Sequence, residues 1–228
     1  MEASLGVFEA FGHADFVTSA AIPHDPTFHL PASLAARLQQ PLPGRPAQAR
    51  FEPELAYGRH HGPAPHDARA AAVVMLLYPH EGQWHLPLAL RPETLSTHAG
   101  QIGFPGGRVD VGETSRAAAL RELHEELGVP ADQVQVLGPL SPLYLFVTNY
   151  HITPWLAWSA ARPNFAPSLD EVAEVIEVPL ASLCDPANYG RYRRQVCGLS
   201  FTAPCIHWQR HEIWGATAMM LGEFIALL

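Results

Sequence analysis

The 228-residue chain has a formal net charge of −8, with 48% apolar and 16% charged residues, which excludes wholesale disorder and leaves room for one well-buried core. All fourteen basic residues are arginine and none is lysine, which argues against non-specific binding to nucleic acid or an anionic membrane. Cys184, Cys197 and Cys205 show no C-x-x-C spacing, and no apolar run approaches the roughly 18 residues of a membrane span, so reduced thiols in a soluble cytoplasmic protein are expected.

Residues 1–68 are rich in Pro, His and Ala, with one short helix predicted over Ala32–Gln39 and turn signals at PLPGRP and HHGPAPH. They read as an arm or lid, with the catalytic-sized domain running from 69 to 228. The apolar run AAAVVMLLY (70–78) and WHLPLALR (84–91) have strand length and flank the turn PHEGQ, which predicts an antiparallel pair. A glycine-rich loop leads to one strong helix over Thr114–Leu127, stopped by Gly128. Short strands follow in QVQVLGPL, LYLFV, YHITPWLAW and EVAEVIEVP, then a late hairpin from RYRRQ and SFTAPCIHWQ, and a closing helix in ATAMMLGEFIALL. This order predicts a mixed sheet with helices on both sides, an α/β/α sandwich.

The stretch GGRVDVGETSRAAALRELHEELGV (106–129) holds five carboxylates and three arginines. On a helix, Leu120, Leu123 and Leu127 share a stripe expected to face the core, with Glu122, Glu125 and Glu126 on the opposite side. Like charges at these spacings repel unless a cation lies among them. The loop before the helix, with glycines at 103, 106, 107 and 112, brings Glu113 to its N-terminal end. Loop carbonyls and helix carboxylates together make an all-oxygen site suited to Mg²⁺ or Mn²⁺, ions that typically meet substrate phosphates. Arg121 is placed to orient a carboxylate through a bidentate pair.

Gly107, five residues, Glu113, seven residues and then Arg121-Glu122-Leu123-His124-Glu125-Glu126-Leu127-Gly128-Val129 resembles the Nudix box G-x5-E-x7-R-E-U-x-E-E-x-G-U at every defined position. The resemblance implies a Nudix α/β/α sandwich that hydrolyses a diphosphate linked to another moiety. It implies Glu122 and Glu126 as direct metal ligands, Glu125 as shared, and the Gly106–Gly107 carbonyl region as completing the set. Glu113 and Arg121 would hold the loop and helix in register. The metal would neutralise diphosphate charge and help activate a water that attacks phosphorus in line.

Upstream, LALRPETLSTHAGQIGFPGG (88–107) resembles the additional motif of coenzyme A pyrophosphatases at Arg91, Gly100 and Phe104-Pro105-Gly106-Gly107. It departs from that motif at Pro87, Ala89, Pro92 and Ser96, the last replacing an arginine whose guanidinium fork a hydroxyl cannot mimic. The subfamily likeness implies cleavage of coenzyme A, or an acyl form, to 3′,5′-ADP and 4′-phosphopantetheine. ADP-ribose, a dinucleotide such as NADH and an oxidised nucleotide are the alternative substrates. A non-catalytic nucleotide-diphosphate sensor would be expected to lose box glutamates, and all are present. The acidic balance disfavours an RNA-cap substrate. A small-molecule substrate is thus expected, with neither nucleic acid nor membrane as partner; a homodimer is compatible with the sequence.

Arg91 ends a predicted strand, where it suits either a substrate phosphate or a salt bridge to a box glutamate. His98 suits a phosphate contact or a structural hydrogen bond. In DEVAE (170–174), Glu171 and Glu174 are read either as a further site carboxylate or as an exposed strand edge. Trp155, Trp158 and Trp214 read as core or rim aromatics. Arg191, Arg193 and Arg194 read as guards of a hairpin edge or as contacts for a 3′-phosphate.

Overall fold

Alternation within a single apolar run builds the centre of the molecule. The structure, a computed structural model, describes residues 29–54, 62–94, 98–196 and 199–228, with backbone alone at 194–196 and 199. Residues 1–28 of the expected arm, Ser96 and Cys197 lie outside the described residues. In chain order the elements are α1 (His29–Arg37), α2 (Gly44–Gln48), β1 (Arg69–His80), β2 (Gln83–Leu90), β3 (Ile102–Gly103), β4 (Gly106–Arg108) and α3 (Ser115–Leu127). There follow β5 (Gln135–Pro139), β6 (Leu143–Leu145), β7 (Tyr150–Trp158), β8 (Glu174–Pro179), α4 (Leu180–Cys184), β9 (Tyr189–Val196), β10 (Leu199–Trp208), β11 (His211–Trp214) and α5 (Gly215–Leu227).

Because side chains alternate along a strand, β1 sends Ala72, Val74, Leu76 and Tyr78 to one face, where they pack with Ala118, Ala119, Leu123 and Leu127 of α3. Val73, Met75 and Leu77 go to the other face, into a core with Met219, Leu221 and Phe224 of α5. Burial on both faces is why this strand reads as a continuous apolar run. Helical layers therefore cover both faces of a mixed sheet, the α/β/α sandwich.

The expected antiparallel pair of β1 and β2 is present, but it is short. Most of β1 runs parallel to β7, with Ala72 opposite Thr153, while Ala71–Val73 also pair antiparallel with β4, with Ala72 opposite Gly107. Only Tyr78–His80 at its end pair with β2, which then diverges to join β8 and β3. A strand buried on both faces needs hydrogen-bonding neighbours along both edges, and one short hairpin partner does not supply them. β5 and β6 extend the sheet beyond β7. β9, β10 and β11 form a separate antiparallel sheet, so the expected late hairpin gains a third strand.

The segment before β1 shares the main core: Leu34 of α1 and Phe51 pack into the α5 side. Its docking is fixed by Glu223 of α5, which has no solvent exposure. That carboxylate accepts hydrogen bonds from the backbone N–H of Gly44 (3.2 Å) and Ser141 (3.1 Å) and from Gln48 Nε2 (2.8 Å). Three donors offset the large cost of burying a charge. Among the described residues, no helix is long and apolar enough to cross a membrane.

Candidate active site

The site is assembled by three pieces of chain: the end of β2 with its following loop, β4, and α3. Thr114 does not belong to the helix but caps it, its side chain accepting from Ala117 N–H at 3.2 Å. At the other end Gly128 adopts φ 71° and donates its N–H to His124 O, a left-handed stop for which glycine is suited. The helix is thereby fixed in length and register.

That register corrects the expected division of the helix into a core stripe and an opposed carboxylate face. The buried residues are Ala118, Ala119, Leu123, Glu126 and Leu127, while Leu120 is half-buried. Glu126 thus shares the buried stripe with two alanines, whose small side chains let the helix lie close to the sheet. Its carboxylate is only 3% exposed and accepts from Arg91 Nη2 at 3.0 Å and from Gly106 N–H at 3.1 Å. Burial pushes its pKa up to about 7, against the opposing pull of Arg91 and the Gly106 N–H and with a further push from the charges of Glu122 and Glu171.

Glu122 lies one turn earlier, against β4. A Cβ on Gly107 would overlap the Glu122 carboxylate, so the glycine is what allows strand and helix to approach here. This explains why the expected glycine-rich loop is a short strand at Gly106–Arg108. Burial raises the Glu122 pKa, with the Glu125 and Glu171 charges adding to it and Arg121 opposing.

Arg121 is the hub of the outer half. Its Nε and Nη2 donate to the two oxygens of Glu113, both at 3.1 Å, and Nη1 donates to Glu122 Oε1 at 2.9 Å and Glu125 Oε2 at 2.8 Å. Nη2 also reaches Arg108 O at 3.1 Å, tying the helix to β4. Hydrogen bonds from Arg121, then from Asp110 N–H, hold the Glu113 carboxyl below its ordinary range. Glu125 is the exposed member of the set, with a side chain 53% accessible.

Around this cluster the structure separates residues that the sequence leaves together. Glu171 is exposed in the turn after Ser168 and lies within electrostatic reach of Glu122 and Glu126. Ser168 N–H donates to Glu126 O, which docks that turn on α3. Glu174, three residues on, turns away to pair with Arg210 at 2.6 Å and His211 at 3.3 Å. His98 bonds Gln101 Oε1 at 2.8 Å within its own loop. That loop is closed onto Arg91 by the Arg91 N–H to Gln101 O bond. Trp155 donates to Ser115 Oγ at the start of α3, whereas Trp158 packs on Trp84 and Trp214 on Tyr192. On β9, Arg191 pairs with Glu54 at 2.7 Å, Arg193 is exposed, and the Arg194 side chain lies outside the described residues. Cys184 and Cys205 are free thiols, both pushed up to about 11 by burial.

Among the described residues, no three His, Cys, Asp or Glu side chains converge into a ready-made metal cage; the box carboxylates are engaged by Arg91 and Arg121 instead. The donor set nevertheless suits a hard divalent cation. Glu126 and Glu122 are carboxylates whose charge is disfavoured by burial and by neighbouring carboxylates, and an added cation would relieve both effects. The signal in the sequence was the spacing of the glutamates; the Gly106 N–H bond to Glu126 has none, since a backbone donor leaves no mark on residue identity.

Comparison with known proteins agrees with this arrangement. The NUDIX domain model matches residues 68–196. The chain is 36% identical over 167 residues to the uncharacterized Nudix hydrolase NudL of Pectobacterium atrosepticum, covering 69% of this chain and 82% of that protein. It is 36% identical over 162 residues to the protein of the same description from Escherichia coli O7:K1, covering 69% and 81%. Solved structures with a similar fold include the Nudix hydrolase RenU of M. smegmatis, with 25% identity, a TM-score of 0.45 and 58% and 80% coverage. The MutT protein of Methanosarcina mazei Go1 has 18% identity, a TM-score of 0.46 and 69% and 92% coverage. A complete box on a capped helix, set against the glycines of β4 in a domain matched over more than half its length, makes this chain a Nudix hydrolase, an enzyme that hydrolyses diphosphate linkages.

Proposed function

We propose that this Nudix hydrolase is a coenzyme A diphosphatase that works with Mg²⁺ or Mn²⁺ and cleaves coenzyme A or an acyl form to 3′,5′-ADP and the 4′-phosphopantetheine product. The observation that carries the reading is the bond between Arg91 and Glu126. Through it the segment resembling the coenzyme A motif and the Nudix box form one physical unit, since Gly106, at the far end of that segment, bonds the same carboxylate.

Nudix hydrolases generally require divalent cations, and here Glu122 and Glu126 would hold the ion, with Glu125 shared and the Gly107 carbonyl contributing. When bound, the ion supplies charge neutralisation at the diphosphate and acidifies a bound water. The protein's own residues supply the rest. Arg121 fixes Glu113, Glu122 and Glu125 in one register, and Gly106 N–H fixes Glu126. Arg91 offers a cation to a substrate phosphate, and His98 stands on the same loop. Glu171 is the carboxylate we assign to accept the proton of the attacking water; it is exposed and makes no ion pair among the described residues. Water oxygen forms a bond to one phosphorus as the bridging P–O bond breaks. The bridging oxygen leaves with the other phosphate, giving two phosphate monoesters.

The test is a product-resolved assay with Mg²⁺ or Mn²⁺, offering coenzyme A, ADP-ribose and NADH separately at matched concentration. Predominant 3′,5′-ADP from coenzyme A is the expected result. A preference for ADP-ribose or NADH would leave the diphosphatase chemistry intact and overturn the substrate assignment.

A further inference from the structure

The two cations at the site are held very differently. Arg121 has four carboxylate hydrogen bonds and a fifth to Arg108 O, and two of the four belong to Glu113, outside the Glu122–Glu126 set. Loss of its bond to Glu122 would leave it anchored. Among the described residues, the Arg91 guanidinium has one bond, to Glu126 Oε1. The other oxygen of that carboxylate is occupied by Gly106 N–H, a backbone donor fixed by the pairing of Gly106 with Val73. Oε1 is therefore the oxygen of Glu126 whose partner can change. Arg91 also has a way out, since its side chain is 31% exposed while that of Glu126 is 3% exposed.

We infer that Arg91 is an exchangeable counter-ion, which neutralises Glu126 while no divalent cation is bound and releases that carboxylate when one binds. The inference rests on the reading of Glu126 as a cation ligand. Its physical basis is that a carboxylate this deeply buried cannot be left alone: removing one partner from a buried ion pair leaves an uncompensated charge. The cation takes over that neutralisation. It frees a guanidinium at the edge of the site for a substrate phosphate, which arrives with the metal and matches the planar fork of arginine. The two roles open to Arg91 in the sequence, salt bridge and phosphate contact, become successive states of one side chain.

The exchange makes Arg91 a competitor of the metal, which can be measured without turnover. Mn²⁺ would be titrated at pH 8 into the wild type and the Arg91→Met, Arg91→Lys and Glu126→Gln variants, with free Mn²⁺ read by electron paramagnetic resonance. Arg91→Met is expected to bind Mn²⁺ about tenfold more tightly than wild type, as a charge-assisted bond to its ligand no longer has to be broken. Arg91→Lys, which keeps the charge, is expected to stay closer to wild type. In EDTA, Arg91→Met should melt below wild type, and saturating Mn²⁺ should close that gap. Unchanged or weaker Mn²⁺ binding by Arg91→Met, or a melting gap indifferent to Mn²⁺, would overturn the exchange. Equal Mn²⁺ affinity in wild type and Glu126→Gln would instead overturn the cation-site reading, and this inference with it.

Discussion

The guanidinium of Arg121 faces the carboxylate of Glu113 edge to edge, through two hydrogen bonds of 3.1 Å each. This pair joins the loop before α3 to the helix, and the remaining donors of the same guanidinium hold Glu122 and Glu125. A lysine at this position keeps the charge but has no planar fork, so it can serve only part of the network. Arg121→Lys is expected to cost about 2 kcal/mol of stability, consistent with losing charge-assisted hydrogen bonds in a partly buried setting, and to lower kcat/KM by at least about tenfold. Urea unfolding and steady-state kinetics check both. A variant with wild-type kinetics would remove Arg121 from the positioning of the carboxylates.

Gly107 makes room for Glu122. An alanine there overlaps the carboxylate, so either β4 or the glutamate must shift. Gly107→Ala is expected to destabilise by roughly 1–3 kcal/mol, the ordinary cost of overpacking, and to remove most activity by displacing a proposed ligand. Normal turnover would show that the Glu122 position tolerates the shift and is not critical.

Glu126 gives a pH dependence with a definite sign. Its folded-state pKa is raised from 4.5 to about 7 by burial. The folded protein therefore holds this proton more tightly than the unfolded chain does. The resulting stability is fully present below pH 4.5 and is lost as pH rises through 7. In EDTA, Glu126→Gln should melt above wild type at pH 8, by an amount on the order of 3 kcal/mol, and the difference should shrink toward pH 5. With Mg²⁺ restored, the same variant should have lost most of its turnover. If Glu126→Gln is no more stable than wild type at pH 8 in EDTA, burial is not straining this carboxylate.

Parts of this site were legible in the sequence because they depend on residues close together in the chain. The end of α3 follows from Gly128, the nearness of Glu122 and Glu125 from their helical spacing, and the holding roles of Glu113 and Arg121 from the resemblance to the Nudix box. The burial of Glu126 was not legible, since it depends on which side of α3 faces the sheet. Hydrophobicity favoured the leucine stripe, and the two alanines that bring the helix down carry a weak signal. The partners of β1 were obscured for a similar reason. An apolar run announces a buried strand, but its long pairing with β7 is made by chain placed some seventy residues later. Glu171 and Glu174 are only three residues apart, and the turn at Ser168 sends them to different neighbours.

Ser96 stands where the resembling motif has its second arginine. If the proposed substrate is correct, restoring that cation should strengthen phosphate recognition. Ser96→Arg is expected to raise kcat/KM on coenzyme A by about tenfold or more, chiefly through KM, since a single charge-assisted hydrogen bond contributes about 1.5–3 kcal/mol. An unchanged KM would mean that position 96 is not a specificity contact.

Glu223 offers a test of how the segment before β1 is held, separate from the chemistry. Its carboxylate has no solvent exposure and gathers donors from Gly44, Gln48 and Ser141, so it joins α5 to α2 and to the chain before β6. Glu223→Ala removes the acceptor of the Gly44 and Ser141 N–H groups, leaves Gln48 Nε2 with its bond to Ser141 O alone, and opens a cavity among them, at a cost of about 3–5 kcal/mol. Glu223→Gln keeps the shape but turns part of the acceptor into a donor facing N–H groups, and should cost about 1–2 kcal/mol. Neither change touches Arg91, Arg121 or the box glutamates, so the folded fraction of either variant should keep a wild-type KM, with lost stability appearing as a lower melting temperature. A raised KM in Glu223→Gln at a temperature where it is fully folded would show that the packing of α2 against α5 shapes the substrate pocket as well as the core.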